Sequence, residues 1–298
     1  MAYVLETKNL TRHYGKIRAL SNFSILVEPG SIYGILGPNG SGKTTCLSIL
    51  LNVIQPDSGR FEWFGEAPTH HTRRRRIGAL IETPNFYPYL SGAQNLEVVA
   101  AIKNRREKNI NTALQATGLA NRRNSPFRTY SLGMKQRLAI AATLINNPEA
   151  LVLDEPTNGL DPNGIAEIRE IILEIAKAGK TIILASHMLD EVEKVCTHVA
   201  ILKSGELLTA GRVADVLGQS NQVEIASADL SLLEQAAKEL SGLVSVERKA
   251  DTVLLKFSEH VNTSELNRHF FDKGIALSHI AERRKTLESQ FLELTAKT

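Results

Sequence analysis

The tightest constraint on this chain's fold is the run Gly37-Pro38-Asn39-Gly40-Ser41-Gly42-Lys43-Thr44. An apolar stretch, Ser31 to Leu36, leads into it, and a helical stretch, Thr45 to Ile54, leads out. A strand, a glycine-rich turn and a helix in that order form a phosphate-binding loop. The glycines let backbone N–H groups wrap an anion, and the helix presents its positive end. Lys43 and Thr44 then stand where they reach a terminal phosphate and a magnesium ion. A nucleoside triphosphate is the implied ligand.

The chain has 298 residues, 43% of them apolar and 22% charged, enough for one sizeable core and a smaller satellite domain. A net charge of +3 does not demand nucleic acid, and Arg73-Arg74-Arg75-Arg76 reads as a solvated face. Cys46 and Cys196 lack metal-ligand spacing and read as small buried fillers in a reducing compartment. No stretch approaches the roughly eighteen apolar residues that cross a bilayer, and Met1 to Leu10 lacks the layout of a secretion signal. The expectation is a cytoplasmic chain whose membrane role requires a separate partner.

Tyr3 to Val27 alternates in strand fashion with a break at Tyr14-Gly15, and Pro29-Gly30 turns the chain into the strand before the loop. Ser91 and Gln94 make a capping box that opens a polar-rich helical block, a helical insertion over about residues 88–147. Leu151 to Asp154 and Thr181 to Ala185 are short, continuous apolar runs, the pattern of strands buried on both faces of a parallel sheet. Between them Asp161 caps a helix with Pro162 at its first position. Val199 to Ala210 reads as a hairpin turning at Ser204-Gly205. This rhythm predicts an α/β core with an antiparallel β subdomain over residues 1–217. From 218 to 298 the order changes to βαββαβ and a final helix, a small ferredoxin-like α+β accessory domain without a catalytic cluster.

Asp154 and Glu155 leave a buried strand at its carboxyl end, where open α/β sheets bind ligands. Asp154 suits a magnesium ion and Glu155 suits polarising an attacking water, a pairing made for metal-assisted phosphoryl transfer. His187 ends the next apolar strand and is placed toward the same edge. Tyr14 is a candidate to stack on the base. Tyr130-Ser131-Leu132-Gly133-Met134-Lys135-Gln136-Arg137 opens a basic helix with a serine and a glycine, a second anion site that the first loop does not need.

With that stretch in view, the chain resembles the ATP-binding cassette (ABC) ATPases. Tyr14, Gly37 to Thr44, Ser131 and Gly133, Asp154-Glu155, the Gly159-Leu160-Asp161-Pro162 loop and His187 appear in that family's order. The resemblance implies a P-loop NTPase fold of the ABC ATPase type, with ATP and Mg²⁺ as ligands. It implies a homodimer in which Ser131 and Gly133 of one copy close over ATP held by the other. Catalysis is expected from Glu155, His187 and Lys43. Nucleotide contacts are expected from Tyr14, Gly37, Pro38, Asn39, Gly40, Ser41, Gly42, Lys43, Thr44, Thr45, Ser131, Gly133 and Asp161. Metal ligation is expected from Thr44, Asp154 and Glu82, the last standing where most cassettes have glutamine.

Leu132 and Met134 also depart from the family, replacing a glycine and a glutamine. Ile77 to Glu82, Ser131 to Arg137 and Leu287 to Thr295 are similar to the ATPases of ABC-2 exporters of the bacitracin and lantibiotic resistance kind. The implied function is an ATPase that drives an integral membrane permease from the inner face of the cell membrane, with no nucleic acid involved. A soluble cassette acting on ribosomes or DNA is the competing reading, but such proteins carry two cassettes or a long coiled coil. A small-molecule kinase would leave Ser131 to Arg137 without a purpose.

Overall fold

The structure is a computed structural model that describes residues 3–66, 76–81, 85–103, 109–218, 221–283 and 285–296. It divides into two compact units, Met1–Val216 and Leu217–Lys297.

The strands of the first unit are β1 (Leu5–Tyr14), β2 (Ile17–Phe23), β3 (Leu26–Val27), β4 (Ile32–Leu36), β5 (Ser58–Trp63), β6 (Ile77–Leu80), β7 (Ala150–Asp154), β8 (Thr181–Ser186), β9 (His198–Lys203) and β10 (Glu206–Arg212). Its helices are α1 (Lys43–Leu50), α2 (Gly92–Ile102), α3 (Ile110–Ala116), α4 (Leu132–Leu144), α5 (Pro162–Lys177), α6 (Leu189–Val195) and α7 (Val213–Leu217). The sheet runs β3-β1-β2-β10-β9-β4-β8-β7-β6, with β5 paired to β1. Strands β9, β4, β8, β7 and β6 run parallel to one another, and β10 pairs antiparallel with β9. Strands β1, β2, β3 and β5 pair antiparallel. The chain is thus an α/β core joined to an antiparallel β subdomain, as the sequence predicts.

Every residue of β4, β7 and β8 is buried. Parallel strands covered by helices on both faces need apolar side chains on both, which is why these segments read as unbroken apolar runs rather than alternating ones. Their pairing aligns the carboxyl ends: Leu36 lies opposite Ser186, and Asp154 opposite Ala185. The phosphate loop, Glu155 and His187 therefore leave the sheet at one edge. Cys46, Leu47, Ile49 and Leu50 of α1 pack into the core with Ile35, Val152 and Ile183. Trp63 Nε1 donates to Leu50 O at 2.8 Å, satisfying one of the carbonyls that a helix end leaves open.

Helices α2 to α4 form the helical insertion, with a core of Leu96, Leu114, Leu119, Phe127 and Leu138. The capping box of Ser91 and Gln94 is present in full. Just inside it, the buried Asn95 amide accepts from Tyr87 N at 2.8 Å and donates to Tyr87 O, Leu90 O and Ser91 O, which holds the preceding loop.

The second unit contains β11 (Gln222–Ser227), α8 (Leu230–Ala237), β12 (Leu243–Arg248), β13 (Val253–Phe257), α9 (Thr263–Asp272), β14 (Leu277–Glu282) and α10 (Leu287–Ala296). Its sheet order is β12-β13-β11-β14, antiparallel throughout. Val223, Ile225, Val253, Leu255 and Phe257 share a core with Leu233 of α8 and Phe270 of α9.

Candidate active site

Strand β4 hands the chain to the phosphate loop, and the loop hands it to α1. Gly42 stands at the start of that helix with φ +105°, and a Cβ there would meet Ala19 O of β2 at 2.2 Å. Only glycine permits so close a backbone approach at that angle. Beside Ala19, Gly205 N donates to Ser41 O at 3.0 Å and holds the loop. No side chain caps α1, so its first amides are left to an acceptor from outside the helix. The Ser41 hydroxyl is buried and has no hydrogen-bond partner. An anion with several oxygens answers both needs, so the loop fits a polyphosphate.

Lys43 is 6% exposed, and its ammonium donates to Gly37 O at 2.8 Å and Pro38 O at 3.3 Å. It also lies 3.2 Å from Glu155 Oε1. The other Glu155 oxygen, Oε2, is 2.8 Å from His187 Nδ1. Thr44 Oγ1 donates to Asp154 Oδ2 at 2.9 Å. Lys43, Thr44, Asp154, Glu155 and His187, far apart in sequence, thus form one connected cluster.

Glu155 adopts φ +47°, a left-handed conformation that costs a non-glycine residue of order 1–3 kcal/mol and is found mostly at functional sites. Its N–H donates to Ala185 O at 3.0 Å, and its carbonyl accepts from Asn158 N at 3.1 Å. These bonds hold the kink that swings the carboxylate out of the strand direction toward Lys43.

A cleft of about 480 Å³ opens above the loop. Asn39, Gly40, Gly42 to Thr45 and Glu155 line it, together with Tyr14, Ile17, Arg18, Ala19 and Ser204. Tyr14 is half exposed, and the Arg12 guanidinium carbon lies 5.1 Å from its ring centroid. Asp57 in turn holds Arg12 at 2.8 Å. The His13 backbone N–H, then the His13 ring and Arg12, keep the Asp57 carboxyl below the ordinary carboxylate range. Sequence reasoning missed Ile17, Arg18, Ala19 and Ser204, which arrive from β2 and the β9–β10 turn. The one available signal was Ser204-Gly205, legible as a hairpin turn but not as a wall of this cleft.

Other predicted residues lie elsewhere. Ser131 and Gly133 do not line the cleft: Ser131 is exposed and its hydroxyl accepts from Met134 N at 3.2 Å, capping α4. A Cβ built at Gly133 would meet nothing within 4 Å. Asp161 Oδ1 accepts from Gly164 N at 2.9 Å, so that carboxylate caps α5. Glu82 and Arg73 to Arg75 lie outside the described residues.

For a magnesium ion the site offers a hydroxyl and a carboxylate, hard oxygen donors of the right kind. Among the described residues no group of three or more His, Cys, Asp or Glu gathers around a common point. Magnesium does not require one, because it keeps waters and substrate phosphates as its other ligands. Cys46 and Cys196 are buried and desolvation pushes both thiols up, which makes them inert packing groups.

A sequence model of the ABC transporter family matches residues 20–158, from β2 through Glu155. The bacitracin transport ATP-binding protein BcrA of Bacillus licheniformis is 37% identical over 300 residues, covering 99% of this chain and 98% of its own. The chain belongs to the ABC transporter ATPases. Like other members it binds nucleotide and hydrolyses ATP.

The lantibiotic transport ATP-binding protein SrtF of Streptococcus pyogenes is 41% identical over 207 residues, 69% of this chain and 89% of its own. Among solved structures, cbiO1 of Clostridium perfringens, part of the transporter complex cbiONQ, superimposes with TM-score 0.67 at 28% identity, over 80% of this chain and 96% of that one. The bacterial cassette MJ0796 in dimeric form gives TM-score 0.63 at 27% identity, over 70% and 99%. Among the described residues of this cassette no helix is long and apolar enough to cross a membrane.

Proposed function

We propose that two copies of this cassette close over two ATP molecules and that closing and reopening drive a separate membrane permease. The cargo is a peptide antibiotic or a similarly amphipathic compound, moved outward. The observation that carries this reading is the division of the anion-binding groups. Lys43, Thr44, Asp154 and Glu155 converge at one sheet edge, whereas Ser131 and Gly133 sit at an uncovered helix start outside that cleft. A triphosphate held at the first place leaves the second without a purpose, unless another copy brings its own triphosphate there. The dimeric form of MJ0796 supports the pairing. The cargo class rests on the likeness to BcrA, which extends over both units rather than the cassette alone.

In this reading the loop amides and Lys43 hold the β- and γ-phosphates, and Tyr14 stacks on the base. Thr44 and Asp154 hold magnesium, which supplies positive charge against the phosphate oxygens. Lys43 exchanges its present partners, the loop carbonyls and Glu155, for the γ-phosphate. Glu155, released from that ion pair, orients the attacking water, with His187 on its other oxygen. Ser131 and the amides that follow it approach the γ-phosphate from the facing copy. Most of the acceleration then comes from positioning and charge stabilisation, as phosphoryl transfer requires. Residues 218–298 form an accessory domain that steadies or regulates closure. The complex sits on the inner face of the membrane, attached through the permease.

The test is to tag the chain in cells and solubilise the membranes. Recovery with a polytopic membrane protein, together with loss of bacitracin-class resistance in Lys43→Ala, is the expected result. Recovery with ribosomes, or resistance that survives Lys43→Ala, would contradict the proposal.

A further inference from the structure

Helix α6 opens at Leu189, just after His187, and is too short to hold its own place. Its seven residues fall well under the roughly 12–15 at which a helix in water begins to persist, and no side chain caps its start. Its position, and with it that of His187, is set by what it packs against. Val192 and Val195 are buried. Such apolar contacts are not directional: they keep the helix on the core but leave it free to slide and turn there. A directional contact has to fix the rest.

That contact comes from α5. Arg169 Nη1 donates to Glu191 Oε2 at 2.9 Å, with the two side chains 29% and 14% exposed, so the pair is screened less than one in open water. The other Glu191 oxygen accepts from Lys194 of its own helix at 2.8 Å. Of these two cations, Arg169 is the one that ties α6 to another element. With Thr157, Ile172, Ser186 and Val192 the pair lines a crevice of about 20 Å³ behind the ends of β7 and β8. Ser186 Oγ accepts from Met188 N at 3.0 Å, and Met188 O accepts from Val192 N at 3.2 Å. The chain is therefore bonded from the end of β8 into the first turn of α6. His187 lies within that bonded stretch, its Nδ1 2.8 Å from Glu155 Oε2.

We infer that Arg169 is a positioning residue for ATP hydrolysis: through Glu191 it fixes α6 against α5 and so holds the His187 imidazole at Glu155. The inference rests on the role given to His187 in the reading above. Arg169 and Glu191 do not line the nucleotide cleft. Their loss therefore falls on the chemical step and leaves nucleotide binding intact. An ion pair that merely joined two helices would lower the melting temperature and leave the rate alone below the melt.

The test uses the full chain carrying Arg169→Gln, Arg169→Lys, Glu191→Ala or His187→Gln, and Arg169→Gln combined with His187→Gln. The measurements, made below each variant's melting temperature, are fluorescent ADP affinity and single-turnover hydrolysis with chain in excess over ATP, which keeps slow variants readable. Arg169→Gln and Glu191→Ala should each lower the hydrolysis rate roughly 5- to 100-fold, the range that a misplacement of about 1 Å costs, with ADP affinity held within about twofold. Arg169→Lys, which keeps a cation beside Glu191, should recover most of the rate. Added to His187→Gln, Arg169→Gln should cost less than about twofold more, because both changes act at one point. Should Arg169→Gln fail to fold, Glu191→Ala takes its place in both comparisons. A native rate in Arg169→Gln, a parallel loss of ADP affinity, or a full multiplicative loss on top of His187→Gln would overturn the inference. A native rate in His187→Gln alone would instead remove His187 from the mechanism, and this inference with it.

Discussion

The two sheets of this protein do opposite things with their apolar strands. In the first unit β4, β7 and β8 are parallel and buried on both faces, so their carboxyl ends fall at one edge. Thr44, Asp154, Glu155 and His187 arrive there together. In the second unit the strands alternate in direction, so successive strand ends are sent to opposite edges. Its charged pairs, such as Lys273 with Glu239 and Arg283 with Glu224, are surface contacts rather than a convergent cluster. Strand direction, more than composition, decides which sheet gathers a site. The parallel sheet concentrates chemistry, and the antiparallel one is left to packing.

That contrast is open to attack at several strengths. The largest effect is expected from Glu155→Gln, which removes the group at the centre of the parallel edge. Steady-state ATPase should fall roughly 10²- to 10⁴-fold. ADP affinity should hold or tighten, because Lys43 loses the carboxylate it pairs with. Lys43→Ala is next. Equilibrium titration with fluorescent ADP should show affinity falling by roughly 10- to 100-fold, the worth of a charge-assisted hydrogen bond. Lys273→Ala in the second unit should leave the same titration unchanged, and a comparable loss there would break the comparison.

Truncation after Leu217 sharpens it further. The remaining cassette should keep its ADP affinity within about twofold, since every group in the cleft comes from the first unit. The smallest effect is expected at the Tyr14 platform. Asp57→Asn unseats Arg12, and ATP affinity should fall roughly two- to fivefold, the scale of an exposed cation–π contact. The pH dependence follows from the lowered Asp57 pKa. A depressed carboxylate contributes above its unfolded pKa and loses that contribution as pH falls through the folded value. The bracing is therefore complete at neutral pH and lost only in acid, below the range where a free aspartate protonates. An affinity loss between pH 6 and 7 that Asp57→Asn abolishes would contradict this account.

Much of this was legible in the sequence because it is local. The loop from Gly37 to Thr44, the capping box at Ser91 and the cap at Asp161 each depend on residues within a few positions of one another. The unbroken apolar runs of β4, β7 and β8 identified a parallel sheet, and from that came the meeting of Asp154, Glu155 and His187 at one edge. What was not legible depends on tertiary approach. Nothing in Ile17 to Ala19 announces that β2 will lie against the phosphate loop closely enough to demand glycine at position 42. The left-handed backbone of Glu155 is equally silent, since glutamate has no preference for it and only its bonds to Ala185 and Asn158 hold it.

The central claim is that one chain supplies only part of each ATP pocket. Sedimentation of the Glu155→Gln chain with ATP and magnesium, with and without Ser131→Arg, tests it directly. The account predicts that ATP converts the Glu155→Gln chain from one copy to two. It also predicts that adding Ser131→Arg returns it to one copy while fluorescent ATP still binds at the phosphate loop. A chain that stays single at saturating ATP, or pairs equally well with arginine at position 131, would contradict it.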